Sequence, residues 1–135
     1  MSDLPRSALA VVVGASLTII LVSTATYLAI IVLLEPAPEG LVSYATPTFT
    51  VVSLGYALVS ALSGGLVAAA LGGSHATIHG ASLGILLLIP IALGRGTPGP
   101  GQPAWYPWVF GMVVLVGSVT GAILWQRRWQ RGTLG

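Results

Sequence analysis

Four stretches free of charged side chains alternate with short breaks rich in proline and glycine along the 135 residues. The first runs from Ala8 to Leu34 and holds 15 Leu, Ile or Val residues in 27 positions. Each such residue favours bilayer insertion by roughly 0.3–0.6 kcal/mol. About 20 residues at 1.5 Å each cross the ~30 Å hydrocarbon core, so this run predicts a spanning helix with length left for tilt. A secretory signal peptide would show the same order, with Arg6 before the apolar run and the small patch Ser23-Thr24-Ala25 after it. The run continues through Leu34, however, well past the 7–15 or so residues of a signal's apolar core. It reads as an uncleaved span.

Glu35-Pro36-Ala37-Pro38-Glu39-Gly40 follows; its prolines cannot continue a helix and its carboxylates call for water. The stretch to Pro47 and Thr48 is expected to be a loop, with a second span from about Phe49 to Leu71. Gly72-Gly73-Ser74 predicts a tight turn into a third span, about Ala76 to Leu93, with Pro90 in its last turn, where membrane helices tolerate a kink. Gly94 to Pro103 is a second loop, and a fourth span covers about Trp105 to Trp125. The expectation is one all-α domain over residues 1–135: an integral membrane four-helix bundle running up-down-up-down, with no convincing internal repeat.

Basic residues orient such a bundle, because cytoplasmic segments retain them. Arg6, Arg127, Arg128 and Arg131 would share one side with the Gly72–His75 turn, while Arg95 stands with both glutamates on the other. Four arginines against one predict both termini in the cytoplasm, in a bacterial inner membrane. Trp105, Tyr106 and Trp108 would form one interfacial belt and Trp125 and Trp129 the other.

Composition agrees with this and narrows the function. Charged residues make up 6% of the chain and hydrophobic ones 55%; a soluble domain needs about 25% charged residues to solvate its surface. Scattered arginines make no clustered basic face, so nucleic acid is not an expected partner. The absence of cysteine excludes disulfides, thiolate metal sites and CxxC redox chemistry. No serine–histidine–acid set or phosphate-cradling glycine loop is present, so no catalysis is expected. Apart from His79 the spans hold no ionisable residue, which argues against a small proton-coupled exporter.

Two features remain as candidates. Small residues spaced by four let membrane helices approach closely. The second span carries two adjacent ladders, Ala57, Ala61, Gly65, Ala69, Gly73 and Ser60, Gly64, Ala68, Gly72. Gly80 and Gly84 on the third span and Gly117 and Gly121 on the fourth are GxxxG pairs. Together Gly64, Gly65, Ala68, Ala69, Gly80, Gly84, Gly117 and Gly121 are the expected helix-packing residues, either within the bundle or against another subunit. His75 and His79, four apart at the turn, share one helical face. No carboxylate or cysteine completes a metal site around them, but one histidine would suffice as an axial ligand to haem or chlorophyll within a larger complex. The other reading of the pair is plain hydrogen bonding at the turn. Thr18, Ser23, Thr24, Thr26 and Tyr27 make the first span polar, and are expected to face the bundle interior or, alternatively, to line a solute path.

From Ser63 to Gly84 the segment resembles a set of small bacterial four-span membrane proteins of unknown function, with Gly-Gly-x-x-Ala-Ala at Gly64, Gly65, Ala68 and Ala69 and His-Gly-Ala-x-x-Gly at His79, Gly80, Ala81 and Gly84. Many of those proteins carry arginines in the short turn where this chain has Gly72-Gly73-Ser74. The resemblance implies layout and no activity. The leading expectation is a non-catalytic membrane component, partnered by the lipid bilayer and by other membrane subunits or a second copy of itself. A small dimeric channel or transporter and a histidine-ligated pigment or haem protein are the alternatives.

Overall fold

Proline and glycine set the helix ends. The computed structural model describes residues 3–33, 46–73, 75–93, 96–99 and 101–132. Among these are four helices and no strand: α1 (Asp3–Leu33), α2 (Pro47–Gly72), α3 (Ala76–Ala92) and α4 (Tyr106–Gly132). Pro47 and Thr48, expected in a loop, instead open α2. Thr46 is extended and its hydroxyl accepts from Phe49 N–H at 3.3 Å, while Pro47 occupies a first-turn position whose N–H would go unused in any case. At the other end Gly73 takes φ +83°, which a side chain would strain, and its N–H returns to Ala69 O at 3.4 Å. Glu35, Glu39, Ser74 and Arg95, on which part of the loop and orientation reading rests, lie outside the described residues.

Three helices are long and apolar enough to cross a membrane: α1, α2 and α4. The third, with 17 residues, is the exception. At 1.5 Å per residue it extends about 25 Å, short of the ~30 Å hydrocarbon core. Pro90 lies inside it. In α4 the helix outruns the apolar stretch, continuing beyond Trp125 through Arg127, Arg128 and Gln130.

Contacts give the register. Arg6 meets Leu71, Gly14 meets Gly64 and Thr26 meets Tyr56, so α1 and α2 run antiparallel. Ser53 meets Tyr106, Gly65 meets Ser118 and Ala69 joins Ala122, so α2 and α4 run parallel. Thr77 meets Gln126 and Gly84 meets Leu115, which sets α3 antiparallel to α4. The second helix packs against all three others; α3 holds α4 closely and α1 loosely; the backbones of α1 and α4 do not approach each other.

Size is distributed inside out. Buried apolar positions are mostly alanines, from Ala10 to Ala122, and the largest fully buried side chains are Leu83, Thr18, Ser53 and Ser118. Large aliphatics such as Ile20, Ile31, Val51, Val59, Ile85 and Val116 lie on the outside. Burying large apolar side chains stabilises a fold in water by about 1.5–3 kcal/mol each, a gain this arrangement forgoes. Close approach of backbones replaces it.

At Gly65, a Cβ would run into the backbone of Ser118, whereas at Gly55 it would meet nothing within 4 Å. Gly65→Ala should therefore destabilise the bundle by about 1–3 kcal/mol through overpacking. Gly55→Ala should be neutral or stabilising by up to ~1 kcal/mol through helix propensity. Reversible unfolding in mixed micelles reads both; equal effects at the two glycines would contradict the packing.

Candidate functional site

The turn between α2 and α3 is built around a histidine. His79 is buried at 5% exposure, and its ring lies against the α2 terminus, where a Cβ on Gly72 would come within 2.7 Å of three ring atoms. His79 Nδ1 lies 2.7 Å from His75 O, and the His79 backbone N–H donates to the same carbonyl at 3.2 Å. A carbonyl only accepts, so Nδ1 is the donor in this contact. An Nδ1–H held by a backbone carbonyl is also how metal-ligating histidines are commonly oriented. His75 and His79 both line an open groove of about 650 Å³ between α1 and α3, together with Ser7, Val11, Val12, Ile78 and Ser82. Among the described residues no group of three His, Cys, Asp or Glu assembles a metal site.

The small-residue ladders of α2 face two different neighbours. A Cβ on Gly64 would strike the Thr18 hydroxyl of α1, and one on Gly65, the next residue, would strike α4. Ala68 packs with Ala15 and Leu83, and Ala69 with Ala76 and Ala122. Gly80 and Gly84 receive Ala122 and Leu115 of α4, while Gly117 and Gly121 receive Ala61 and Leu62 of α2. All eight small residues singled out from the sequence thus touch a neighbouring helix of the same chain. Gly14 belongs with them and was missed: a Cβ there would come within 2.8 Å of Leu83, Gly64 and Ala68. Its spacing of four from Thr18 was the signal.

Hydroxyls of α1 divide between inside and outside. Thr18 is 2% exposed and donates to Gly14 O at 2.9 Å; Thr26 shares a 2.7 Å hydrogen bond with Tyr56. Ser23, Thr24 and Tyr27, expected inside, are exposed, as is Ser16. At about 100° per residue Ser16, Thr24 and Tyr27 fall within about 80° of one another on the face turned away from the bundle, while Ser23 lies at its edge and borders a void that Leu87 and Phe110 also line. Thr18, Thr24 and Thr26 therefore do not line one path.

At the end of the bundle where α1 finishes and α4 begins, Thr26, Tyr56, Gln102 and Tyr106 line a cleft of about 400 Å³. Phe110 separates it from a smaller apolar void of about 150 Å³ bounded by Thr18, Leu87 and Val114. Tyr106 donates to Ser53 at 2.6 Å, and Ser53 donates in turn to Thr50 O at 2.8 Å. This relay ties the start of α4 to α2, a pairing with no local sequence signal.

Removing the Tyr106 hydroxyl by Tyr106→Phe should cost about 1 kcal/mol. A double-mutant cycle with Ser53→Ala should give a coupling of about 0.6 kcal/mol, in the range of hydrogen bonds between membrane helices. Additivity of the two substitutions in micellar unfolding would contradict the relay. No family model, no curated protein and no solved structure matches this chain, so the resemblance to small four-span proteins stands on its motif residues alone.

Proposed function

We propose that the chain is a multi-pass protein of a bacterial inner membrane that acts without catalysis, as an assembly component joined to other membrane subunits or to a second copy of itself. In this reading all four helices cross, up-down-up-down, with both termini cytoplasmic. The short α3 crosses with local thinning of the bilayer, held between α2 and α4, since mismatch costs only fractions of a kcal/mol per Å. The exposed aliphatics support insertion: in water they would form a continuous apolar surface, in lipid they carry no penalty.

The observation that carries assembly is the outward face of α1. Ser16, Thr24 and Tyr27 sit there among Leu9, Ile20 and Ile31. Other helix hydroxyls return to their own helix: Thr18, Ser53, Ser63 and Ser118 donate to carbonyls three or four residues back at 2.8–2.9 Å. Against lipid tails the α1 hydroxyls have nothing to bond beyond their own backbone, whereas a neighbouring helix offers partners. The Gly and Ala faces first considered for this role are occupied within the bundle, so assembly is assigned to α1 instead.

Because the chain has no cysteine, single substitutions report cleanly. Cysteine at Ser16 or Tyr27 should cross-link in native membranes to a second copy or to another subunit, while cysteine at inward Thr18 should not. Strict absence of adducts from both outer positions, with a monomer in native mass spectrometry, would refute the assembly role. In the same background an impermeant maleimide added to spheroplasts should label Thr97→Cys and spare Ser7→Cys and Gln130→Cys; the reverse pattern would invert the orientation.

A further inference from the structure

At the end of the bundle where α1 and α3 begin and α2 and α4 finish, a cleft of about 450 Å³ is lined by Arg6, Ala70, Gly73, Ala76, Trp125 and Gln126 among others. Arg6 is anchored there rather than loose. Its Nε donates to Leu71 O at 3.0 Å, which satisfies one of the last carbonyls of α2 and places a cation at the negative end of that helix. A guanidinium held through Nε keeps both terminal nitrogens as a planar donor fork. Gln126 accepts from Thr77 at 3.1 Å through its amide oxygen, so its NH₂ is turned to other partners. Trp125 stacks at an angle on Trp129, with ring centroids 6.4 Å apart, and adds an indole donor beside an apolar wall. The polar groups so assembled offer a guanidinium fork, an amide NH₂ and an indole N–H as donors. The described side chains include no carboxylate, and two of the chain's three acids, Glu35 and Glu39, stand in the sequence between α1 and α2, outside the described residues. Arg127 and Arg128 are exposed on α4 next to the cleft-lining Gln126 and add positive potential.

We propose that this cleft binds a phosphate group: the phosphodiester of an anionic phospholipid headgroup or free phosphate, gripped by Arg6 with Gln126 and Trp125 as further donors. The arginine fork matches two phosphate oxygens, and a tryptophan pair beside it fits the depth at which headgroups meet acyl chains. The proposal rests on the membrane reading above.

Purified protein in neutral detergent, titrated with dioleoyl phosphatidylglycerol, dioleoyl phosphatidylcholine and inorganic phosphate and read by native mass spectrometry, tests it. One saturable site for phosphatidylglycerol, not displaced by millimolar inorganic phosphate, supports the headgroup; a site filled by inorganic phosphate instead supports the free anion. Arg6→Gln should weaken binding about tenfold, the loss of one charge-assisted pair. Since Arg6 also ties α1 to α2, Ala70→Leu supplies a second variant that fills the cleft and leaves the arginine in place; it should weaken binding by a similar factor. Asp3→Asn, which removes the one acid in the same helical turn, should leave binding unchanged or strengthen it. Equal, non-saturating uptake of all three probes by wild type and variants would overturn the site. If the protein leaves membranes in a carbonate wash, it is the membrane reading that fails; if it stays and binds nothing, only the cleft does.

Discussion

Two consecutive glycines set the distances on which the rest of the bundle depends. Gly64 and Gly65 lie about 100° apart on α2, so their bare backbones meet two different helices, α1 through Thr18 and α4 through Ser118. Neither approach leaves room for a Cβ. Once both helices are seated this close, the middle of the central helix presents mostly small residues to its neighbours, with Ala57, Ala61, Ala68 and Ala69 fully buried. Shape then decides the fold: the same short radius leaves Leu83 the largest fully buried side chain among the described residues.

This constraint accounts for the asymmetry of the bundle. The helix with the small-residue ladders packs against every other helix, while the backbones of α1 and α4, seated on faces of it about 100° apart, do not approach each other. The clefts lie where that contact is missing, each bounded by residues of both α1 and α4. One end is lined by hydroxyls and a carboxamide, Thr26, Tyr56, Tyr106 and Gln102; the other by a guanidinium, indoles and amides. The two ends thus differ chemically although both follow from one packing geometry.

Much of this was legible in the residues. Four apolar runs forecast four helices, because hydrophobicity summed over twenty positions outweighs local propensity. The ladders on α2 were visible as a spacing, but a spacing does not name the partner, and only the fold assigned one ladder to α1 and α3 and the other to α4. The start of α2 was placed two residues late because Pro47 reads as a breaker unless Thr46 is seen to cap it. The hydroxyls of the first span invite reading as one set, inside the bundle or along a solute path. Helical periodicity already forbade that: Thr18 and Thr24, six residues apart, project about 120° from each other. The Ser53–Tyr106 relay had no signature, since two hydroxyls far apart in sequence carry no pattern until the chain is folded.

The third helix also bears on how the chain is made. It is joined to α2 by little more than Gly73, Ser74 and His75, and the His79 ring lies against the last turn of α2. A 17-residue segment interrupted by Pro90 is a weak substrate for partitioning into lipid on its own. With so short a linker it leaves the ribosome directly behind a longer helix that already fits its face. On the membrane reading proposed above, the two are suited to enter the bilayer as one hairpin, so that biogenesis would proceed in three events rather than four.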